Sequence, residues 1–271
     1  MKGAGVQEAA ARRLVCIILP TYNEAENVAV VIPAIFAQAR RLPQHELKVL
    51  VVDDNSPDGT QARIRRLMVR FPGLHLITGQ RRGLGDAYRR GMAYACRILK
   101  ADLIFEMDAD LQHPPEFIPR FVALAEGGFS LVIGSRFAPG GDTPHISFRR
   151  RLLSRLGNWM VRSCGGISRV RDCTSGYRCI RSDLLESCNL SLLATRGYAF
   201  QSSLLWALLQ QGARVAEIPI TFPGRRRGAS KLSLRDQIEF LLNLPMLRLR
   251  RLWDASAPSA GLHPWHRVLT K

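Results

Sequence analysis

The chain has 271 residues, 46% of them hydrophobic, and a formal net charge of +17. That length supports one sizeable core with a C-terminal extension, and the charge points to an anionic partner: nucleic acid, anionic lipid or a phosphorylated substrate. No run approaches about 18 consecutive apolar residues, so no transmembrane helix is expected, and residues 14–19 are too short for the apolar part of a signal peptide.

Residues 14–19 (LVCIIL) predict a buried strand, and 24–39 a helix with apolar positions at helical spacing. Residues 48–52 (KVLVV) predict a second strand, ending at the acidic turn DDNSPDGT. A basic helix over 61–70 and a third strand over 74–78 follow. The loop RRGLG leads into a helix over 86–100. Residues 103–107 (LIFEM) predict a fourth strand that runs into DADLQHPP, then a helix over 117–126 and a strand over 131–134. From residue 148 the character changes, with Arg149, Arg150, Arg151, Arg155, Arg162, Arg169 and Arg171 in close succession. A helix over 201–211, a strand over 214–218 and basic runs at 225–227 and 248–251 complete the pattern. Strands alternating with helices predict an α/β fold with a mostly parallel sheet.

In open α/β sheets ligands bind at the carboxyl ends of the strands. PTYNE, DDNSPDG and DADLQHP each follow an apolar strand, so they are expected to face one crevice that holds Glu24, Asp53, Asp54, Asp58, Asp108 and Asp110. The D-x-D of Asp108 and Asp110 is the strongest motif. Alternate residues of an extended segment share a side, and two such carboxylates repel unless a divalent cation such as Mg2+ or Mn2+ lies between them. Gln112 offers a neutral oxygen from the same side; the plainer reading is an acidic turn before Pro114 and Pro115. Asp53 suits a nucleoside, whereas Ser56 and Asp58 are also ordinary turn residues. Tyr22 suits stacking on a base and Glu24 a ribose, while Thr21 and Asn23 equally suit helix capping. Arg225, Arg226 and Arg227, with Gly228 and Lys231, read as a cationic lid for a diphosphate or as a surface charge run.

The six cysteines include no C-x-x-C pair, and Cys16 and Cys96 fall in apolar segments, so buried free thiols are expected rather than disulfides or a zinc site. The basic stretches are not interleaved with aromatics and no zinc-finger spacing occurs, so charge alone would support nucleic-acid binding, and no nucleic-acid partner is expected.

Taken together, LPTYNEAENV, VVDDNSPDGT, GLGDAYRRGM, MDADLQHPPE, IGSRF, SRLGNW, DCTSGYRCI, GYAFQ, EIPITF and RRRGASKL resemble, in content and order, the dolichol-phosphate mannosyltransferase group of glycosyltransferase family 2. The resemblance implies a GT-A fold over residues 13–231, after an N-terminal tail of 1–12. It also implies an inverting, Mg2+- or Mn2+-dependent transfer from a nucleotide-sugar donor, GDP-mannose in the first place, to a dolichyl or undecaprenyl monophosphate. By position, Pro20, Tyr22, Glu24 and Asp53 would hold the nucleoside, and Asp108, Asp110 and Gln112 the metal. Arg136, Ser154, Arg155, Arg225, Arg227 and Lys231 would handle phosphates, with Asp110, Arg136 and Arg225 closest to the chemistry. One departure stands out: Ser202 and Ser203 follow GYAFQ, where the family often carries an acid. The C-terminal transmembrane pairs of some relatives are also missing, so the expected location is peripheral, at the cytoplasmic face of a membrane, and a separate membrane-anchoring subunit is compatible with it. Residues 232–252 read as an amphipathic helix, either an interfacial anchor or core packing, and 253–271 as a loosely ordered tail. The rival readings within the family are UDP-glucose or another nucleotide-sugar as donor, and a polysaccharide acceptor. An acceptor hydroxyl needs a general base, and beyond residue 142 Asp172 is the one clear candidate.

Overall fold

The computed structural model describes residues 12–144, 148–190 and 197–223. Arg225, Arg227 and Lys231, the helix expected over 232–252 and the tail 253–271 lie outside the described residues. Seven strands, β1 (Arg13–Thr21), β2 (His45–Asp53), β3 (Leu74–Thr78), β4 (Leu103–Glu106), β5 (Leu131–Ser135), β6 (Arg178–Arg181) and β7 (Val215–Pro219), form one sheet in the order β3-β2-β1-β4-β6-β5-β7. All neighbours pair in parallel except β6, which runs antiparallel to both β4 and β5. The helices are α1 (Ala25–Ala37), α2 (Thr60–Arg70), α3 (Leu84–Arg97), α4 (Ile118–Glu126), α5 (Phe148–Gly165), α6 (Ser182–Ser187) and α7 (Gly197–Gln210).

The continuous apolar run of β1 is explained by its burial on both faces. Leu14, Cys16 and Ile18 join Leu50 and Val52 under α3 and α7, whereas Val15, Ile17 and Leu19 join Val49 and Val51 under α1, α2 and α4. Gly91 lets α3 lie close on the sheet, since a methyl group there would stand 2.6 Å from Ile18 Cγ2. The chain builds outward from β1 to β2 and β3, then returns to place β4 on the other side of β1. That reversal opens a crevice at the carboxyl ends of β1, β2 and β4.

The predicted strands and helices lie within a few residues of those observed, with three differences. The helix expected over 24–39 ends at Ala37 and tightens into a 3-10 turn over Gln38–Arg41. The arginine-rich stretch after residue 148 is helix α5. The tetrapeptide RCIR is the reversed strand β6, whose arginine at 178 is wholly buried.

Candidate active site

The loops after β1 and β2 are tied together by short side chains. Asp53 is fully buried and accepts hydrogen bonds from Thr21 Oγ1 (2.9 Å), Ser56 Oγ (2.6 Å), the Ser56 amide (2.9 Å) and Gln61 Nε2 (2.8 Å). Ser56 Oγ in turn accepts from the Asn23 amide, and Thr60 Oγ1 from the Glu24 amide. Asp58 bridges two helix starts, accepting from the Ala25 amide at 3.1 Å and the Thr60 amide at 3.0 Å. Burial opposes its charge, but hydrogen bonds from Thr60 and Ala25 outweigh that effect and lower its pKa. Asp54 is held by Arg90 of α3, whose Nε also donates to Asp86 at 3.0 Å. Burial raises the pKa of Asp54 against the opposing pull of Arg90.

Of the six carboxylates expected to serve one crevice, Asp53, Asp54 and Asp58 are therefore committed to protein partners. Asp53 holds the floor together, and a nucleoside reaching its carboxylate would have to displace one of four donors. Pro20, Tyr22 and Glu24 are partly exposed along the crevice side of the first loop. The Arg81 guanidinium lies 4.0 Å from the centre of the Tyr22 ring, on the face a base would use, and Glu24 accepts from Asn27 Nδ2 at 2.6 Å.

The D-x-D loop follows β4 directly. The Asp108 amide donates to His113 Nδ1 at 2.8 Å, which leaves His113 its proton on Nε2 when neutral. His113 is stacked on Tyr177 (4.8 Å between centroids) and set edge-on to Phe222 (5.3 Å). Tyr177 also donates to the Pro114 carbonyl at 2.8 Å, so the loop is fixed from both ends. Tyr88 of α3 donates to Asp108 Oδ1 at 3.1 Å, and burial followed by the neighbouring Asp108 charge keeps its hydroxyl protonated well above the ordinary range. The Asp108 side chain is 38% exposed, while Asp110 lies deeper at 8%. Asp110 Oδ1 accepts from the Gln112 amide at 3.1 Å across Leu111, whose backbone is left-handed at φ 65°. Gln112 Nε2 donates to the Pro223 carbonyl at 3.2 Å.

Arg136, at the end of β5, is gripped by Asp172. Its Nε and Nη2 reach the two carboxylate oxygens at 2.8 and 2.7 Å, its amide donates to the same group at 2.9 Å, and Nη2 also meets Thr174 Oγ1 at 2.6 Å. Burial of Asp172 disfavours its charge, yet Arg136 and the amides of Arg136 and Thr174 outweigh it and hold the pKa below the ordinary carboxylate value. Ser154 and Arg155 lie on α5, Ser154 partly and Arg155 well exposed. Arg155 lines a cleft of about 330 Å3 with Phe137, Asn158, Trp159, Arg162 and Arg171.

Beneath the D-x-D loop lies a pair that sequence reading missed. Glu106 of β4 stands opposite Arg178 of β6 in register, 3.9 Å away and with both side chains fully buried, and Gln201 Nε2 donates to Glu106 at 3.2 Å. Burial, against the opposing effects of Arg178 and Gln201, pushes the Glu106 pKa up to about 7. Ser202 and Ser203 are buried, and the carboxylate beside the GYAFQ helix belongs instead to Glu106 on the strand. His113 and Tyr88 were also missed, although both sit inside motifs that were singled out.

Residues 16–188 match the family model described as glycosyl transferase family 2. The chain is 38% identical over 236 residues to the polyprenol monophosphomannose synthase of Mycolicibacterium smegmatis, covering 86% of each chain. It is 34% identical over 250 residues to the undecaprenyl-phosphate mannosyltransferase of Micrococcus luteus, covering 92% of this chain and 99% of that one. The fold is that of the glucosyl-3-phosphoglycerate synthase of Mycobacterium tuberculosis, solved in complex with Mn2+ and uridine-diphosphate-glucose. That likeness has a TM-score of 0.59 at 20% identity, over 94% of this chain and 83% of that one.

Proposed function

Because this chain belongs to glycosyl transferase family 2, we propose that it transfers mannose from GDP-mannose to a polyprenyl monophosphate, at the cytoplasmic face of a membrane. One observation carries the reading above the others. Asp108 and Asp110 stand at the carboxyl end of β4, beside the reversal in strand order, in a chain 38% identical to a polyprenol monophosphomannose synthase.

Asp108, Asp110 and Gln112 fit a divalent cation such as Mg2+ or Mn2+, since all three offer hard oxygen donors. Among the described residues no three His, Cys, Asp or Glu side chains close a metal cage, which suits an open site completed by a diphosphate. When bound, the cation offsets the negative charge that builds on the departing diphosphate. The chain's own groups do the positioning. Tyr88 fixes Asp108, His113 fixes the loop, and Pro20, Tyr22, Glu24 and Asp53 border the nucleoside. Arg136, aimed by Asp172, receives acceptor phosphate together with Ser154 and Arg155, while Arg225, Arg227 and Lys231 cover the leaving group.

A phosphate monoester is already ionised near neutral pH. Its oxygen attacks the anomeric carbon opposite the leaving group, the new C–O bond forms as the bond to the β-phosphate oxygen breaks, and no proton moves. Inversion follows from the single displacement. A sugar hydroxyl would instead need a base, and Asp172 is fully buried with its oxygens taken by Arg136 and Thr174. That favours the lipid phosphate over a polysaccharide.

The test is incubation of the purified chain with labelled GDP-mannose, UDP-glucose or UDP-N-acetylglucosamine, polyprenyl phosphate and Mg2+ or Mn2+. Solvent-extractable label from GDP-mannose alone is expected. Label from a uridine donor only would replace the donor, and label on a polysaccharide only would replace the acceptor.

A further inference from the structure

Five of the eight large apolar side chains that are at least half exposed among the described residues sit on α5: Phe148, Leu152, Leu153, Leu156 and Trp159. Phe148, Leu152, Leu156 and Trp159 recur at intervals of four, four and three residues, so they form one stripe along the helix. Their exposures run from 50% to 78%. The opposite side of α5 is anchored. Val161 is fully buried, Asn158 Nδ2 donates to the Arg171 carbonyl, and Asn158 Oδ1 accepts from the Cys173 amide at 2.8 Å. The helix therefore cannot roll to hide its stripe without losing that clamp.

A contiguous exposed apolar face marks an interaction surface, and charge selects its partner. Arg155, Arg162 and Arg171 surround the cleft beside the stripe, and none of the three pairs with a carboxylate of the described residues. Apolar residues flanked by guanidiniums are the pattern of a helix lying in the interface of an anionic bilayer. We propose that the outward face of α5 docks this protein on an anionic lipid surface, with Leu152, Leu156 and Trp159 at the acyl boundary and the arginine cleft on a lipid phosphate. Phe137 and Arg171 of that cleft adjoin Arg136 and Asp172 in sequence, so the docked face brings the Arg136 pair to headgroup level. The inference rests on the mannosyl-transfer reading only in its supposition of a membrane-borne acceptor.

Cosedimentation of the full chain with vesicles of phosphatidylcholine, alone or mixed with phosphatidylglycerol, tests it. The unmutated chain binds the mixed vesicles, and Leu152→Glu with Trp159→Glu lowers that binding by about tenfold or more. The same variant keeps its unfolding midpoint and its transfer rate on a short, water-soluble polyprenyl phosphate. In a second measurement that needs no folded variant, brominated acyl chains quench the unmutated chain by the emission that Trp159→Phe removes. Unchanged vesicle binding in the double variant, no quenching of Trp159, or a dimer in solution that the variant dissociates would each overturn the proposal. Absence of transfer from every donor, with α5-dependent vesicle binding intact, would sink the enzymatic reading and leave the docking face standing.

Discussion

Asp108 and Asp110 are two residues apart yet differently supported, the first by a buried tyrosine and the second by the backbone of its own loop. Asp110→Asn removes a ligand charge while keeping shape. Transfer is expected to fall by about 100-fold or more, with the thermal midpoint unchanged and no recovery in excess Mn2+; full activity would remove the metal assignment. Asp172 makes a prediction about pH. Its folded pKa is depressed, so its contribution to stability is complete above the unfolded value of about 3.9 and is lost as pH falls through the lower folded value. Urea unfolding midpoints should therefore drop on acidification in the unmutated chain, and Asp172→Asn should flatten that part of the curve; parallel curves would refute it. The D-x-D was legible in the sequence because its members are neighbours. The grip of Asp172 on Arg136, and of Arg90 on Asp54, was not, because each joins positions 36 residues apart through the fold alone.

Strands buried on both faces were legible as unbroken apolar runs, and the helices between them as periodic ones. β6 escaped because it carries Arg178 into the core, and a charge inside a four-residue strand reads as loop. α5 escaped for the opposite reason, since much of its apolar stripe faces outward and its arginines dominate the composition. At this scale the contact of α3 with the sheet is the sensitive point. Gly91→Ala forces a methyl group against Ile18 and Val52, and overpacking of this kind costs about 1–3 kcal/mol. A urea denaturation midpoint equal to that of the unmutated chain would show that α3 can lift at no cost.

Over the whole molecule, Cys16, Cys96, Cys173, Cys179 and Cys188 are free and buried, as their apolar settings led one to expect. Burial pushes the Cys96 and Cys173 thiols up to about 12 and Cys188 to about 11. A thiolate is the reactive form, so these five should resist an aromatic disulfide reagent in the folded chain and react rapidly in denaturant. Fast reaction of the native protein at these positions would mean that the core opens readily. The order of the sheet and the crevice at its carboxyl edge followed from the alternation of elements. The contents of the second half of the crevice did not, because strand β6 inserts between β4 and β5 against the sequence order.

The facing of Glu106 and Arg178 makes the centre of the sheet work like a keyed joint. A slip of one residue between β4 and β6 would set Glu106 against Cys179 or Tyr177 and strand two interior charges apart, at a cost of about 3–5 kcal/mol. Misaligned assemblies are thereby rejected during folding, and the loop that begins two residues beyond Glu106 always emerges at the same height above the sheet.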